Sequence, residues 1–185
     1  MGVRCFLGLA LPDSYQEGLE DIITVWRPRL RSKISWTRKG NWHLTLSFLG
    51  EISEEVLDQV QKRLEAVTRP CFELQAGGAG FFPPGKTPRV VWIGLSSGAL
   101  ACKELAADIE HTLEPLGFPL SKKEFRPHLT LARVKKAGQD DWKALLNDLK
   151  ERQWPAFNVE SFVLWQSQLT PRGPVYTRLR EYPLA

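Results

Sequence analysis

The chain has 185 residues, 43% of them apolar and 25% charged, with a formal net charge of +4. That length holds one domain or two small intimate lobes around a sizeable core, and the composition excludes a fibrous or disordered chain. No apolar run reaches the roughly 18 residues of a membrane span, and "CFLGLALP" is too short, and too abruptly ended by Pro12 and Asp13, for a signal peptide.

The elements are predicted in chain order from hydrophobic period and turn residues. A buried strand over 3–11 is followed by a helix that Asp13 caps, running to about Leu30 with Leu19, Ile22, Ile23 and Trp26 on one face. A short strand over 34–38 and a turn at Lys39-Gly40-Asn41 lead into a strand over 42–49, "WHLTLSFL". Ser53 opens a helix to about Val67, with Val56, Leu57, Val60 and Leu64 on one face. A Gly-rich strand over 72–82, the loop "FPPGKTPR", a strand over 89–96 and a helix over 99–116 come next. A strand over 127–134, "PHLTLARV", a helix over 140–151 and two strands over 157–168 and 175–182 complete the chain.

The tetrapeptide HLTL occurs twice, 85 residues apart, in a chain with only three histidines. The same offset carries Leu57, Val60 and Leu64 onto Trp142, Leu145 and Leu149, and Phe72 onto Phe157; "FLGL" at 6–9 matches "WIGL" at 92–95 at an offset of 86. Strand anchors and helix faces in register predict a duplicated unit, about 3–82 and 89–168, with a last strand at 175–182. The expected fold is α+β and bilobal: 1–185 as one domain, two pseudo-two-fold-related lobes, each with an antiparallel sheet and helices, and a cleft between them.

Side chains alternate across a strand. His43 and Thr45 therefore share one face, and Leu44 and Leu46 the other; His128 and Thr130 are set against Leu129 and Leu131 in the same way. With the leucines buried, the polar pairs face the cleft. Two imidazoles titrate near neutrality and two hydroxyls donate hydrogen bonds, a set suited to paired acid and base work on a phosphoester. Arg126 lies on the His128 face, a candidate phosphate ligand beside a structural role, and Arg133 lies off it, as surface charge unless a bend restores it. Phe48 is a candidate base contact beside its reading as a core residue. Arg38, Lys39, Lys135 and Lys136 are candidate RNA contacts or solvated charge. His111 is expected on the surface, and Tyr176 in packing.

"HLTLSFLG" and "RPHLTLAR" resemble the paired HxTx motifs of the 2H phosphoesterase superfamily, in its RNA 2′,3′-cyclic phosphodiesterase branch, also called 2′-5′ RNA ligase. The stretches "PRVVWIGL" and "GPVYTRL" are similar to that branch as well. The resemblance implies hydrolysis of an RNA 2′,3′-cyclic phosphate to a 2′-phosphomonoester without metal or cofactor. It also implies the roles: His43 as proton donor to the leaving 3′ oxygen, His128 as the base that activates water, and Arg133 as a ligand of the phosphate or a platform stacked on the base. Ligation would be the same chemistry run backwards with a 5′-hydroxyl in place of water. The expected partner is RNA with a cyclic phosphate end or a small cyclic nucleotide, and the expected state a monomer. Cys5, Cys71 and Cys102, in no CxxC spacing, predict reduced thiols and a cytoplasmic location. A non-catalytic RNA or nucleotide-binding module, and a phosphodiesterase acting on another small cyclic phosphate, stay open. A metal site is disfavoured because neither HLTL word has an acidic neighbour on its polar face.

Overall fold

A computed structural model of the chain describes residues 2–85, 87–171 and 173–185. Among these residues nine strands and four α-helices follow one another as β1 (Val3–Ala10), α1 (Asp13–Trp26), β2 (Lys33–Trp36), β3 (His43–Ile52), α2 (Glu54–Leu64), β4 (Phe72–Phe82), β5 (Val90–Ser97), α3 (Ala99–Leu113), β6 (Leu129–Lys136), α4 (Trp142–Glu151), β7 (Phe157–Val159), β8 (Ser161–Thr170) and β9 (Gly173–Pro183).

Several expectations change at element ends. The first helix stops at Trp26 and tightens into a 3-10 turn over Arg27–Arg29, because Pro28 lacks the N–H that an α-helix would use there. Asp13 is the first residue of α1 rather than its cap; Pro12 precedes it and no side chain caps the helix. The helix expected from residue 140 begins at Trp142, capped by Asp141, whose carboxylate accepts from the Ala144 N–H at 2.9 Å. Asp140 is engaged elsewhere, accepting from the Arg31 and Ser32 N–H groups at 2.6 and 2.9 Å. The single strand expected over 157–168 breaks at Glu160 into β7 and β8, which pair with different partners.

The strands form one curled sheet in the order β7-β4-β5-β6-β3-β1-β8-β9, with β2 paired to β6. Two four-stranded lobes, β7-β4-β5-β6 and β3-β1-β8-β9, are thus antiparallel within themselves. They are not separate sheets: Leu44 on β3 pairs with Leu129 on β6 and joins them. Beyond that pair the two strands diverge, and β6 takes β2 on the same edge, Trp36 opposite Ala132 and Ser35 opposite Arg133. The halves of the sequence do not coincide with the lobes. β4, from the first half, pairs with β5 of the second, and β8, from the second, pairs with β1 of the first. Each half donates its last strand to the other lobe.

The leucines of both HLTL words lie in the core: Leu44, Leu129 and Leu131 are 0% exposed and Leu46 3%, each burial contributing roughly 2 kcal/mol. α1 buries Leu19, Ile22, Ile23 and Trp26, and α4 buries Leu145 and Leu149. The Trp26 indole N–H donates to Asp148 at 2.7 Å and ties the two helices together. Tyr15, fully buried, donates to the Pro155 carbonyl and accepts from the Ala76 N–H, so its hydroxyl costs nothing in unmet bonds. No helix among the described residues is long and apolar enough to cross a membrane.

Candidate active site

Where β3 and β6 diverge, they wall a cleft of about 930 Å³ that holds His43, Thr45, His128 and Thr130. His43 opens β3; His128 lies one residue ahead of β6, not inside a strand from residue 127. The two imidazoles are held alike. His43 Nδ1 donates to the Asn41 carbonyl at 2.8 Å, and His128 Nδ1 to the Arg126 carbonyl at 2.7 Å, each two residues back. A carbonyl cannot donate, so Nδ1 carries the proton and Nε2 keeps its lone pair. On His43 that lone pair accepts from the Thr45 hydroxyl at 2.9 Å.

Aromatic rings fix the imidazole planes. His43 packs on Phe6, with centroids 4.6 Å apart, and meets Tyr176 edge-on at 5.2 Å. His128 meets Phe82 and Trp92 edge-on at 5.3 and 6.3 Å. This apolar housing disfavours the charged form of both rings. Burial lowers the His43 pKa to about 4, against a smaller opposing effect of the Asn41 carbonyl, and the proximity of His128 lowers it further. Burial also lowers the His128 pKa; the Arg126 carbonyl opposes this and the Arg133 cation adds to it. Burial raises the pKa of Tyr176, with Arg133 and Arg4 pulling the other way.

Strict alternation would put Arg133 and Phe48 on the leucine faces, five residues beyond each histidine. Two bulges prevent it. Thr130 pairs with Trp92 but Ala132 with Val91, so Leu131 is an extra residue on β6; its carbonyl accepts from the Thr37 N–H at 3.0 Å. On β3, Thr45 pairs with Gly8 but Ser47 with Leu7, so Leu46 is extra in the same place. A bulge shifts the parity of everything after it. Leu131 and Ala132 both bury, and Arg133 returns to the cleft. Phe48 returns likewise, 69% exposed, and is not a core residue.

Arg126 is not brought to the cleft. Its guanidinium pairs with Glu124 at 3.4 Å on the surface, and only its carbonyl serves the site. Arg38 and Lys135 line the cleft, as do Arg4 and Arg27, and with Arg133 they make five cations with no carboxylate among the described lining residues. Lys39 and Lys136 lie outside it. His111 is on the exposed side of α3, its Nδ1 at 2.7 Å from the Ala107 carbonyl. Sequence reasoning missed Arg4, Phe6 and the Asn41 carbonyl. The repeat held the signal, since an offset of 85 places Asn41 on Arg126 and one of 86 places Phe6 on Trp92. Among the described residues no three His, Cys, Asp or Glu side chains gather as a ligand cluster. Two neutral imidazoles, two hydroxyls and a cationic wall can move protons on both sides of a bound phosphoester.

The fold and this paired His–Thr cleft define a two-histidine phosphoesterase. The family of LigT-like phosphoesterases matches the chain twice, over residues 9–92 and 93–176, and the chain belongs to that family. The chain is 35% identical to an RNA 2′,3′-cyclic phosphodiesterase of Archaeoglobus fulgidus, over 97% of this chain and 99% of that one. It is 37% identical to those of Aeropyrum pernix, covering 85% and 94%, and Thermus thermophilus, covering 98% and 90%. Among solved structures it resembles TT0787 of Thermus thermophilus, with a TM-score of 0.79 and 30% identity over 97% of both chains. It also resembles E. coli LigT complexed with 3′-AMP, with a TM-score of 0.77 and 25% identity over 100% of this chain and 99% of that one.

Proposed function

We propose that this chain hydrolyses RNA 2′,3′-cyclic phosphate ends to 2′-phosphomonoesters, with His43 and His128 as the proton-transfer pair. The observation that carries the reading is the two imidazoles, each with Nδ1–H tied to a carbonyl, in one cleft whose described lining holds five cations and no carboxylate. The relatives at 35–37% identity are RNA 2′,3′-cyclic phosphodiesterases, and E. coli LigT holds 3′-AMP.

In this reading His128, its basic form favoured by Arg133, takes a proton from water as the water oxygen attacks phosphorus in line. The bond from phosphorus to the 3′ oxygen breaks, and His43 gives that oxygen its proton. Thr45, Thr130 and Arg133 hold the non-bridging oxygens as negative charge builds on them. The turnover leaves His128 protonated and His43 neutral, and exchange with solvent resets the pair. Protonated His43 belongs to the bound complex: the diester's negative charge opposes the burial that holds the free imidazole near 4. Phe48 offers its exposed ring to the terminal base. Arg126 takes no part at this phosphate.

Every group in the scheme comes from one chain, so a monomer suffices. Cys5, Cys71 and Cys102 are free, in keeping with a cytoplasmic location. The test is a defined RNA ending in a 2′,3′-cyclic phosphate, incubated with enzyme in excess EDTA. The product should resist a 3′-specific phosphatase and yield to a general one. Activity that returns only with a divalent ion, or a mixture of 2′- and 3′-phosphates, would contradict the scheme.

A further inference from the structure

The cleft face of the sheet does not end at His128. Thr130 on β6 pairs with Trp92 on β5, and Trp92 with Gly80 on β4, so these three residues share one face and carry it outward from the catalytic pair. The Trp92 indole lies flat on this bed. A Cβ at Gly80 would overlap its six-membered ring, and one at Gly94 would meet Cζ3 at 3.3 Å. Glycine at both places is what lets a ring of this size lie against the sheet. Phe82 stacks beside Trp92 at 5.1 Å and links it to the His128 ring.

Trp92 is only half-buried, and it faces a shallow groove of about 740 Å³. Lys103 from α3, Lys150 from α4, Arg126 and Glu124 form the groove's charged rim. Glu124 holds Lys103 at 3.0 Å and Arg126 at 3.4 Å. Three cations face one carboxylate, and the paired side chains are 42–66% exposed, free to exchange one partner for another. Arg126, which the active site leaves unused, is here the cation nearest to His128 in sequence.

The geometry points to a second nucleotide subsite: Trp92 stacks the base 5′ to the terminal nucleotide, and Arg126, Lys103 and Lys150 hold the RNA backbone beside it. The inference rests on the proposed activity and extends it from cyclic mononucleotides to single strands of two or more nucleotides. A terminal cyclic nucleotide supplies one base, and Phe48 on the opposite wall already offers that base a ring. The second aromatic platform, on the His128 side and rimmed by cations, matches the chemistry of the next residue of the strand: a flat base and an internucleotide phosphate. Lys and Arg take the phosphate without regard to sequence, so the subsite selects length rather than base.

The test is the ratio of kcat/KM for a dinucleotide ending in a 2′,3′-cyclic phosphate to that for the same terminal nucleotide alone. The ratio should fall about tenfold in Trp92→Leu, the usual scale of one base stack, even if the loss of its contact with His128 also slows the mononucleotide. It should fall severalfold in the double variant Lys103→Ala/Lys150→Ala, with mononucleotide turnover unchanged. Glu124→Gln should raise it. An unchanged ratio in either of the first two, or a fall in Glu124→Gln, overturns the subsite. Calorimetric affinities for the 2′-phosphorylated mono- and dinucleotide read the same ratio without turnover, so a failure of the proposed activity is seen apart from a failure of the subsite.

Discussion

Each imidazole in the cleft has Nδ1 committed to a carbonyl, which leaves Nε2 as the nitrogen able to exchange a proton. That arrangement sets the pH dependence. Both rings titrate below the ordinary 6.5 in the free protein, His43 at about 4. In the proposed scheme the productive state has His43 protonated and His128 neutral, and kcat/KM reports the free enzyme. Above the higher of the two pair values the protonated partner is lost, so kcat/KM should fall as pH rises beyond 6.5, with its maximum on the acid side. The bound diester raises both pKa values, so the kcat profile should lie at higher pH than that of kcat/KM. A kcat/KM that still climbs between pH 7 and 8 would contradict this; the two limbs belong to the pair, not to either ring. At this scale the repeated word made His43, Thr45, His128 and Thr130 legible. The repeat sets Asn41 against Arg126 but does not show that their carbonyls are the groups used, because a main-chain acceptor leaves no trace in residue type. Arg126 shows the reverse error: its place on the His128 face suggested a phosphate ligand, but the chain uses its carbonyl and turns its side chain to Glu124.

Among the elements, the bulges at Leu46 and Leu131 matter most. One inserted residue on each HLTL strand turns Phe48 and Arg133 into the cleft, five positions after each histidine. If Arg133 holds a non-bridging oxygen, Arg133→Ala should lower kcat/KM by about 10² to 10³, the range for one lost oxyanion donor. Arg133→Lys should recover part of this, because it keeps the charge but loses the forked geometry. Steady-state kinetics on a cyclic mononucleotide decide the matter, and a wild-type value for Arg133→Ala would remove Arg133 from the site. Alternation alone puts both residues on the leucine faces. A bulge is a mismatch between two paired strands, and one strand's sequence does not contain it; the only local sign is the apolar pair Leu131-Ala132, which breaks the alternation and is buried on both residues. Helix faces were legible from their period, whereas the α1 terminus was not, because the apolar period runs on to Leu30 and Pro28 ends the helix ahead of it.

At the scale of the molecule, the duplication was legible and its topology was not. Matching strands and helices recur at a near-constant offset, which reveals a repeat, but pairing is a property of the folded chain. β4 and β8 cross over, so neither half owns a complete sheet: β4 finds its partners in β5 and β7, and β8 its partners in β1 and β9. A fragment ending between β4 and β5 would carry β4 with no partner strand and leave β1 without β8. Each half expressed alone should therefore be unfolded or aggregated, with long unpaired edges, and the two co-expressed halves should restore the fold and the cleft. Circular dichroism and gel filtration of each half and of the mixture test this. A folded, monomeric first half would show that the exchanged strands are dispensable.

The central claim is that one imidazole from each wall works on the same phosphate, and single-turnover hydrolysis of a cyclic-phosphate RNA by His43→Ala, His128→Ala and the double variant tests it most directly. Each single change should cost about 10² to 10⁴ in rate, with little change in product affinity. The double change should cost much less than the product of the two, because the rings act as a unit. Either single variant retaining the wild-type chemical rate would contradict the paired mechanism.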